Sequence, residues 1–297
     1  MEGYEVIRGT PQPMPLEQAV RRVREISSLP QVSTRIMEVV RDANTSAAML
    51  TGVVETDPAL CARLLRCVNS AAYGLRYKIT TVARAVAYVG FKAVRNLALT
   101  SSICEMFKRD TQVGPYCRLG LWRHMVAVAV ASRLFARRAG AADFEEAFLA
   151  GLLHDVGLIV EDQYLHRHFV YLIERLGQRP LTEVELEVLG FDHTFLGECV
   201  AENWKFPPEA MAAIRYHHSF PSYNGPHQTL VAAVVTANLV CALKGYPALG
   251  AGRPVPCAQA LAALNMNVQD LQVLAADLDG ELNQHQALFQ MVEGNGI

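Results

Sequence analysis

Signals for the start and the end of α-helices recur along the whole chain, and the apolar residues between them recur at helical spacing. In the segment DPALCARLLRCVNSAAYG, Asp57 is a predicted N-cap, Pro58 a first-turn residue and Gly74 a left-handed stop. Leu60 and Leu64 between them fall on one face, which a helix would bury. Because no convincing run of alternating apolar and polar residues is present, we predict an all-α protein, a multi-helix bundle of roughly a dozen helices.

Other segments repeat these signals. The segment ITTVARAVAYVG has Thr80 or Thr81 as a cap and Gly90 as its end, and in FDHTFLGECVAENW Asp192 is the predicted cap of a helix. Two residue pairs match the capping box, in which two side chains satisfy the first helical N–H groups; they are Asp143 with Glu146 and Thr182 with Glu185.

The composition argues against nucleic acid as a partner. Hydrophobic residues make up 51% of the chain and charged residues 19%, and the net charge of −2 creates no global field for polyanions. Arginine clusters occur at helical spacing, which is typical of solvated helix faces; they are Arg21, Arg22 and Arg24, and Arg133, Arg137 and Arg138. With no basic stripe and no interleaved aromatic residues, we predict no nucleic-acid binding.

The same composition predicts a cytoplasmic protein without membrane contact. The seven cysteines form no CxxC pair, as expected of buried small residues in a reducing compartment. The N-terminal residues MEGYEVIRGTPQPMP do not match a signal peptide. The longest apolar stretch, LVAAVVTANLVCAL, is too short to span a bilayer.

Histidines divide the chain into three predicted regions. Residues 15–115 form an N-terminal helical subdomain without metal-type ligand clusters, and residues 116–245 hold eight of the nine histidines. Residues 246–297 form a linker, Pro-rich at AGRPVPCAQ, and a helical tail whose His285 is expected at the surface. The polar residues expected at the surface or in loops of the second region are His166, His168, Thr194 and His227. In the first region we assign Asn69 and Ser70 a structural role in a turn.

The dipeptide His154–Asp155 ends the apolar helical segment EEAFLAGLLHDVG, where ionisable groups are usually excluded unless they are paired or bound to a metal. The other histidines near helix ends or inner faces of this region are His124, His193, His217 and His218. A bundle can bring such positions to one centre, and imidazole and carboxylate groups bind divalent metals. We therefore predict a metal or anion pocket. The alternative is a metal-free polar core in which Asp155 accepts hydrogen bonds from His124 or His154.

The segment LLHDVG, with one histidine helix before it and spaced histidines after it, resembles the HD superfamily of metal-dependent phosphohydrolases. The segments LPQVSTRIMEVV, DPALCARLLRCVNSAAYG and ITTVARAVAYVGFKAVRNLALTSSI resemble the signature of the HDOD family, the HD-related output domain, and the match runs over about residues 20–245. The resemblance implies a bundle of the HD-domain type with an N-terminal helical subdomain. It also implies a bacterial signalling context and a module that usually lacks demonstrated catalysis.

Carried over by motif, the resemblance implies a metal-ligand set of His124, His154, Asp155, His193 and one or both of His217 and His218. Two positions depart from the HD-GYP cyclic-dinucleotide phosphodiesterases of the same superfamily. Asn238 stands where a last aspartate ligand is expected, and Leu158 stands where those enzymes have a lysine that contacts substrate phosphate. Asn238 could still offer a carbonyl oxygen as a weak ligand, but Asp155 becomes the one anionic ligand.

The predicted cofactor is one divalent transition-metal ion, Fe, Ni, Zn or Mn, because two ions bridged by one carboxylate would leave a net charge of about +3. The predicted function is a non-catalytic signal-transduction output or scaffold module that associates with signalling proteins in trans and could bind a nucleotide or phosphate ligand. The alternative is a metal-dependent phosphohydrolase acting on a nucleotide or cyclic (di)nucleotide through a metal-activated water. Either a monomer or a homo-oligomer is compatible with the sequence.

Overall fold

The computed structural model describes residues 17–21, 31–41, 45–109, 111–249 and 256–292 of the chain. Helices dominate these residues, which confirms the predicted all-α class. Residues 17–21 are helical. The helices of the first group are α1 (Gln31–Arg41), α2 (Ala47–Val54), α3 (Pro58–Val68), α4 (Val82–Val89) and α5 (Phe91–Ile103), with 3-10 helices at Ala71–Tyr73 and Cys104–Phe107.

A two-stranded antiparallel hairpin, β1 (Gln112–Val113) and β2 (Tyr116–Cys117), leads into the second group. Each strand has two residues, too few for an alternating pattern to predict it. The helices of the second group are α6 (Arg118–Arg138), α7 (Phe144–Leu153), α8 (Val156–Tyr164), α9 (His166–Leu176), α10 (Leu181–Leu189), α11 (His193–Asn203), α12 (Pro208–Tyr216) and α13 (Gln228–Leu243), with a 3-10 helix at Phe220–Ser222. The tail consists of α14 (Ala258–Ala263), α15 (Val268–Gln284) and α16 (Gln286–Phe289).

Helix α6 is the central helix of the described structure. Fourteen of its 21 residues are buried, and it packs against α7, α13 and the tail helices α15 and α16. Among the described helices, it alone is long and apolar enough to cross a membrane, but 78% of its most apolar window is buried inside the protein. Such burial is typical of a core helix. Buried side chains from all three predicted regions belong to one hydrophobic cluster, and the boundaries at residues 115 and 245 stay predictions.

Two glycines allow the close helix packing that assembles the histidine region. A Cβ atom on Gly157, near the start of α8, would lie 2.0 Å from the carbonyl oxygen of His193 at the start of α11. A Cβ atom on Gly151 in α7 would lie 2.8 Å from the carbonyl oxygen of Val128 in α6. Both separations are far below van der Waals contact, so these two helix pairs can pack as they do only with glycine at these positions.

The predicted caps at Asp57, Thr81 and Asp192 are confirmed, because each side chain accepts a hydrogen bond from a backbone N–H in the first turn of its helix. Gly74 has the expected left-handed conformation, with φ of 55°, but it ends the 3-10 turn at Ala71–Tyr73 and not α3.

Asn69 and Ser70 have the structural role predicted for them. The Asn69 side chain donates to the carbonyl oxygens of Leu65 and Ile79, at 2.7 and 2.8 Å, and accepts from the backbone N–H of Ile79 at 2.7 Å. Ser70 Oγ donates to the Cys67 carbonyl oxygen at 2.6 Å. These bonds fix the turn that follows α3.

Both predicted capping boxes are wrong. The Asp143 side chain caps no helix N–H and instead accepts from Lys92 Nζ at 2.5 Å. Its expected partner Glu146 is buried and forms a two-pronged ion pair with Arg95, at 2.9 and 3.1 Å. Helix α10 begins at Leu181, so the Thr182 of the second pair is already helical. Ionised partners on other helices outcompete a local cap, because charge-assisted hydrogen bonds are the stronger ones.

The surface prediction for His285 is also wrong. His285 is 2% exposed; its Nδ1 donates to the Glu281 carbonyl oxygen at 2.7 Å and its Nε2 accepts from Arg133 Nη2 at 2.5 Å. The other members of that arginine cluster also hold α15, through Arg137 with Glu281 and Arg138 with Asp277. Arg137 and Arg138 are exposed, as predicted of a solvated face, while the cluster also holds the tail against α6.

Some predictions fall outside the described residues. These are Arg22 and Arg24 of the first arginine cluster, the region boundaries at residues 15 and 297, and residues 251–255 of the Pro-rich linker.

Candidate metal centre

Five buried side chains from α6 and from the ends of four other helices meet at one place. His124 is inside α6, His154 follows the last residue of α7, and Asp155 precedes the first residue of α8. His193 begins α11, and His217 follows the end of α12. All five are at most 3% exposed. The structure thus brings together the residues that the sequence singled out.

Each of the four buried imidazoles donates its Nδ1 proton away from the centre. Three donate to backbone carbonyl oxygens: His124 to Tyr246 at 2.7 Å, His154 to Gly151 at 2.7 Å and His217 to Ile214 at 2.9 Å. A carbonyl oxygen can only accept, so these Nδ1 atoms must be protonated. In a neutral ring the Nε2 atom is then an unprotonated acceptor. The hydrogen bonds therefore orient Nε2 lone pairs toward the interior of the site.

The Asp155 carboxylate lies between two pairs of histidines. Its Oδ2 is 3.3 Å from Nε2 of both His124 and His154. Its Oδ1 is 3.2 Å from His217 Nε2 and 3.4 Å from His193 Nε2. Two groups of possible metal ligands therefore share one carboxylate.

These spacings fit ligands around a cation better than a hydrogen-bonded core. The Nε2 atoms are 3.1 Å apart in the first pair and 3.4 Å apart in the second. Two nitrogens bound tetrahedrally to Zn²⁺, at 2.0–2.1 Å each, stand about 3.4 Å apart. With all four rings neutral and no cation present, acceptor atoms would face one another, and the buried Oδ1 of Asp155 would have no hydrogen-bond donor among the described residues. The alternative, a metal-free core held together by hydrogen bonds, needs a second proton on one of the imidazole rings.

Two further predicted residues are at the edge of this group. His218 is exposed, and its ring centroid is 4.1 Å from that of His217 and 5.1 Å from that of His193. Asp155, His193, His217 and His218 can each offer one ligand atom within 4.8 Å of the others. Asn238 of α13 lines the same cavity as this group, and its role as a weak ligand stays a prediction.

Glu185 is a functional residue that the sequence reasoning missed. It is fully buried in α10, and both carboxylate oxygens lie within 2.9 Å of His193 Nδ1, while Oε2 also accepts the His193 backbone N–H at 3.1 Å. A carboxylate behind a histidine fixes the tautomer and ring orientation that a metal requires. Because Glu185 matched the capping-box pattern, the sequence reasoning did not connect it with His193, eight residues later.

Burial, the neighbouring imidazoles and the carboxylates of Asp155 and Glu185 shift the pKa values of residues in this centre. Burial disfavours charge on Asp155, but the neighbouring His154 and the hydrogen-bonding imidazoles outweigh it and hold the pKa of Asp155 well below its usual range. Burial also opposes protonation of His193, yet Glu185 and Asp155 raise the pKa of His193 well above its usual value. Burial, together with the neighbouring His154 and His193 imidazoles, lowers the pKa of His217.

Behind Glu185 lies a second buried acid, Glu161 of α8. Burial and the adjacent Glu185 charge raise the pKa of Glu161 well above its usual value. Burial and the repulsion from Glu185 therefore favour the neutral form of Glu161.

The other polar residues expected at the surface or in loops have different positions. Thr194 is 1% exposed, contrary to prediction, and its hydroxyl donates to Asp192 and accepts from Arg215 at 2.8 Å. His166 is exposed, as predicted, and His168 and His227 are half-buried.

The fold and this pocket define the class of protein. It is a helical protein in which histidine and aspartate side chains meet near the ends of packed helices. The chain belongs to the HDOD family, because the HDOD domain model matches residues 26–220, well over half of its length.

Solved structures with the same fold include an HDOD domain protein of unknown function from Geobacter sulfurreducens, 23% identical, with a TM-score of 0.76 over 94% of this chain and 99% of that one. A protein from Shewanella amazonensis SB2B, provisionally described as a phosphohydrolase, is 23% identical, with a TM-score of 0.73 over 92% of this chain and 98% of that one. A protein from Marinobacter aquaeolei VT8, provisionally described as a signal transduction protein, is 25% identical, with a TM-score of 0.76 over 94% of this chain and 65% of that one.

An uncharacterized protein of Treponema pallidum (strain Nichols) is 24% identical over 221 residues, which are 73% of this chain and 42% of that protein. The chain thus spans about two fifths of the length of that curated relative.

Proposed function

We propose that the protein is a signal-transduction output or scaffold module that binds a divalent transition metal and is not a catalyst. The observation that carries the metal proposal is the orientation of the four buried imidazoles, whose inward Nε2 atoms surround Asp155. Imidazole-rich sites suit Fe, Ni, Zn or Mn, and we propose one ion. A bound ion would supply positive charge among the lone pairs and could polarise a bound ligand.

The cavity beside the centre lacks the groups that phosphate chemistry uses. Leu158, where the HD-GYP enzymes have a lysine, is 1% exposed and lines this cavity. No lysine or arginine is among the described residues that line it. A transferring phosphate would therefore have no side-chain cation to stabilise its developing charge. Asn238 adds no negative charge for a second ion. Both features support binding over hydrolysis.

The metal proposal is tested by titrating the chelator-treated protein with Zn²⁺, Mn²⁺, Ni²⁺ and, under anaerobic conditions, Fe²⁺, using isothermal calorimetry. We expect saturable binding with a stoichiometry near one. The variant His154→Gln should lose most of the affinity, whereas His227→Gln, which alters a half-buried histidine outside the centre, should bind like the wild type. Equal binding by both variants would contradict the assignment.

The first group of helices supports the proposal that the protein associates with a separate signalling protein. Residues 58–104 contain seven lysines and arginines and no aspartate or glutamate. Tyr77 and Tyr88 in this stretch are 71% and 62% exposed, and Arg76, Lys78 and Arg84 are exposed as well. Exposed tyrosines and arginines are typical of protein interfaces. We propose a signalling protein with an acidic contact surface as the partner.

The partner proposal is tested by quantitative proximity labelling in cells with the wild type and the variant Tyr77→Ala/Tyr88→Ala. The expected result is the loss of a protein that purified wild-type chain also binds, with an affinity that falls as salt is raised. A partner that binds the variant equally well would contradict this surface.

A metal-dependent phosphohydrolase is the second candidate, and one observation favours it. The ligands divide into two groups around Asp155, and two ions sharing a carboxylate can clamp a phosphate ester. The metal-loaded protein should then hydrolyse bis(p-nitrophenyl) phosphate or a cyclic dinucleotide, and Asp155→Asn should abolish the activity. A metal-loaded protein without turnover on these esters and on nucleotides would leave the binding module as the function.

A further inference from the structure

The cavity over the metal centre has a volume of about 440 Å³, within the range of sites that take small-molecule ligands. Its polar lining residues are Asp155, Thr182, His193, His217, His218 and Asn238. Thirteen of its nineteen lining residues are apolar, and they come from α8, α10, α13, the 3-10 helix at Phe220–Ser222 and the chain that follows α13.

The apolar lining extends to the outer part of the cavity. Leu243, near the C-terminal end of α13, lines the cavity and is 67% exposed, while Leu239, one turn earlier, is 8% exposed. An exposed leucine beside a cavity is a surface that an apolar ligand could cover. A nucleotide has hydrogen-bonding groups on its base and sugar, and these would be unpaired against such a lining.

The charge of the centre also limits the ligand. One divalent ion is balanced by the carboxylates of Asp155 and Glu185, and no lysine or arginine lines the described cavity. A di- or triphosphate would add several uncompensated negative charges to a largely apolar site. A carboxylate adds one charge, and its oxygens are good ligands for divalent metals.

We propose that this cavity binds a small molecule with an apolar body and a single carboxylate headgroup, and that the carboxylate coordinates the metal held by the Asp155 centre. This inference rests on the metal-binding function proposed above. It makes the ligand of the module an apolar carboxylic acid and not a nucleotide. The apolar body would lie along Leu239 and Leu243.

The test is calorimetric titration of the Zn²⁺-loaded protein with hexanoate, octanoate and decanoate, and with 1-octanol and AMP as comparisons. We expect the affinity to rise about fourfold for each added CH₂ group that is buried. Octanoate should bind at least tenfold more tightly than 1-octanol, which has the same body without the carboxylate. AMP should bind more weakly than octanoate. Metal-free protein should lose most of the octanoate affinity.

Two exposed leucines form a matched pair for the same experiment. Leu243→Ser should lower the octanoate affinity severalfold, whereas Leu186→Ser, which alters a leucine that is 54% exposed and does not line the cavity, should leave it unchanged. Both variants change a solvent-exposed side chain, so both should keep the fold.

The metal content of each sample is measured separately, so the two proposals fail in different ways. Protein that holds zinc but binds octanoate no better than 1-octanol, or binds AMP more tightly, overturns the ligand class alone. The proposed ligand class is also overturned if the affinity for the carboxylates does not change with chain length, or if both leucine variants lower the octanoate affinity equally. Protein that takes up no metal overturns the proposed function and this inference with it.

Discussion

Replacement of Glu185 by glutamine tests whether the carboxylate behind His193 shapes the metal site. Glu185 accepts the backbone N–H of His193 at 3.1 Å, and its two oxygens lie 2.8 and 2.9 Å from Nδ1 of the same residue. Glutamine has almost the same shape, but its NH₂ group would replace one of these acceptors and face a donor. The ring would lose one fixed contact and the negative charge that makes Nε2 a stronger ligand.

The size of the effect follows from the burial of this contact. Removal of the outer partner of a metal-binding histidine typically lowers metal affinity 10- to 100-fold, which is about 1.4–2.7 kcal/mol. Glu185 and His193 are both fully buried, so water has little access to replace the lost acceptor. We therefore expect a loss near the upper end of that range, with the metal-free fold retained.

The assay is competition for Zn²⁺ against a chelating dye, with Glu187→Gln as the control. Glu187 lies on the same helix, but its side chain is 60% exposed and pairs with Arg179 at the surface. Its replacement should change the zinc affinity less than twofold. Wild-type affinity in Glu185→Gln, or the same loss in both variants, would refute the orienting role of Glu185.

The remaining predictions concern helix packing and pH. Gly157→Ala should destabilise the fold by more than about 3 kcal/mol in chemical denaturation, because its Cβ would overlap the His193 carbonyl oxygen. Gly280→Ala, at a helical position with no atom within 4 Å of the new Cβ, should instead add roughly 0.5–1 kcal/mol; equal effects would contradict the packing argument. Burial and the Arg133 charge lower the pKa of His285 from 6.5 to about 4. The unfolded chain therefore binds this proton at a higher pH than the folded one, and roughly 3 kcal/mol of stability should be lost as pH falls from 6.5 to 4. His285→Gln should remove that part of the acid sensitivity in pH-dependent denaturation, and an unchanged slope would contradict it. Glu185 and Asp155 raise the pKa of His193, so zinc must displace a proton from this ring, and zinc affinity should rise with pH with release of a proton; a pH-independent affinity would show that the ring is already neutral.

Local signals were sufficient to predict the helical class and several boundaries. Asp57, Thr81 and Asp192 cap their helices as expected, because a cap needs only groups within one turn. The histidine set was also predictable, since helix ends and inner faces are recognisable from the sequence and a bundle brings them together. The resemblance to the HDOD family supplied the rest of that expectation, and the family match confirms the family.

Residues whose roles depend on distant partners were not predictable in the same way. Glu146 and Glu185 fit a cap pattern, but their partners Arg95 and His193 compete successfully for them. His285 lies in a polar helix, and nothing local indicates that Arg133 buries it against α6. In each case, an ionised partner from another helix decided the outcome.

The metal at the Asp155 centre can be measured by elemental analysis of untagged wild-type protein, purified without chelator, beside the variant Asp155→Ala. Asp155 is the one carboxylate shared by both histidine pairs. We predict about one equivalent of a transition metal in the wild type, none in the variant, and a lower melting temperature for the variant. A wild-type protein that holds no metal, even after loading with Fe, Mn, Ni and Zn, would contradict the account and leave the histidines as a polar core.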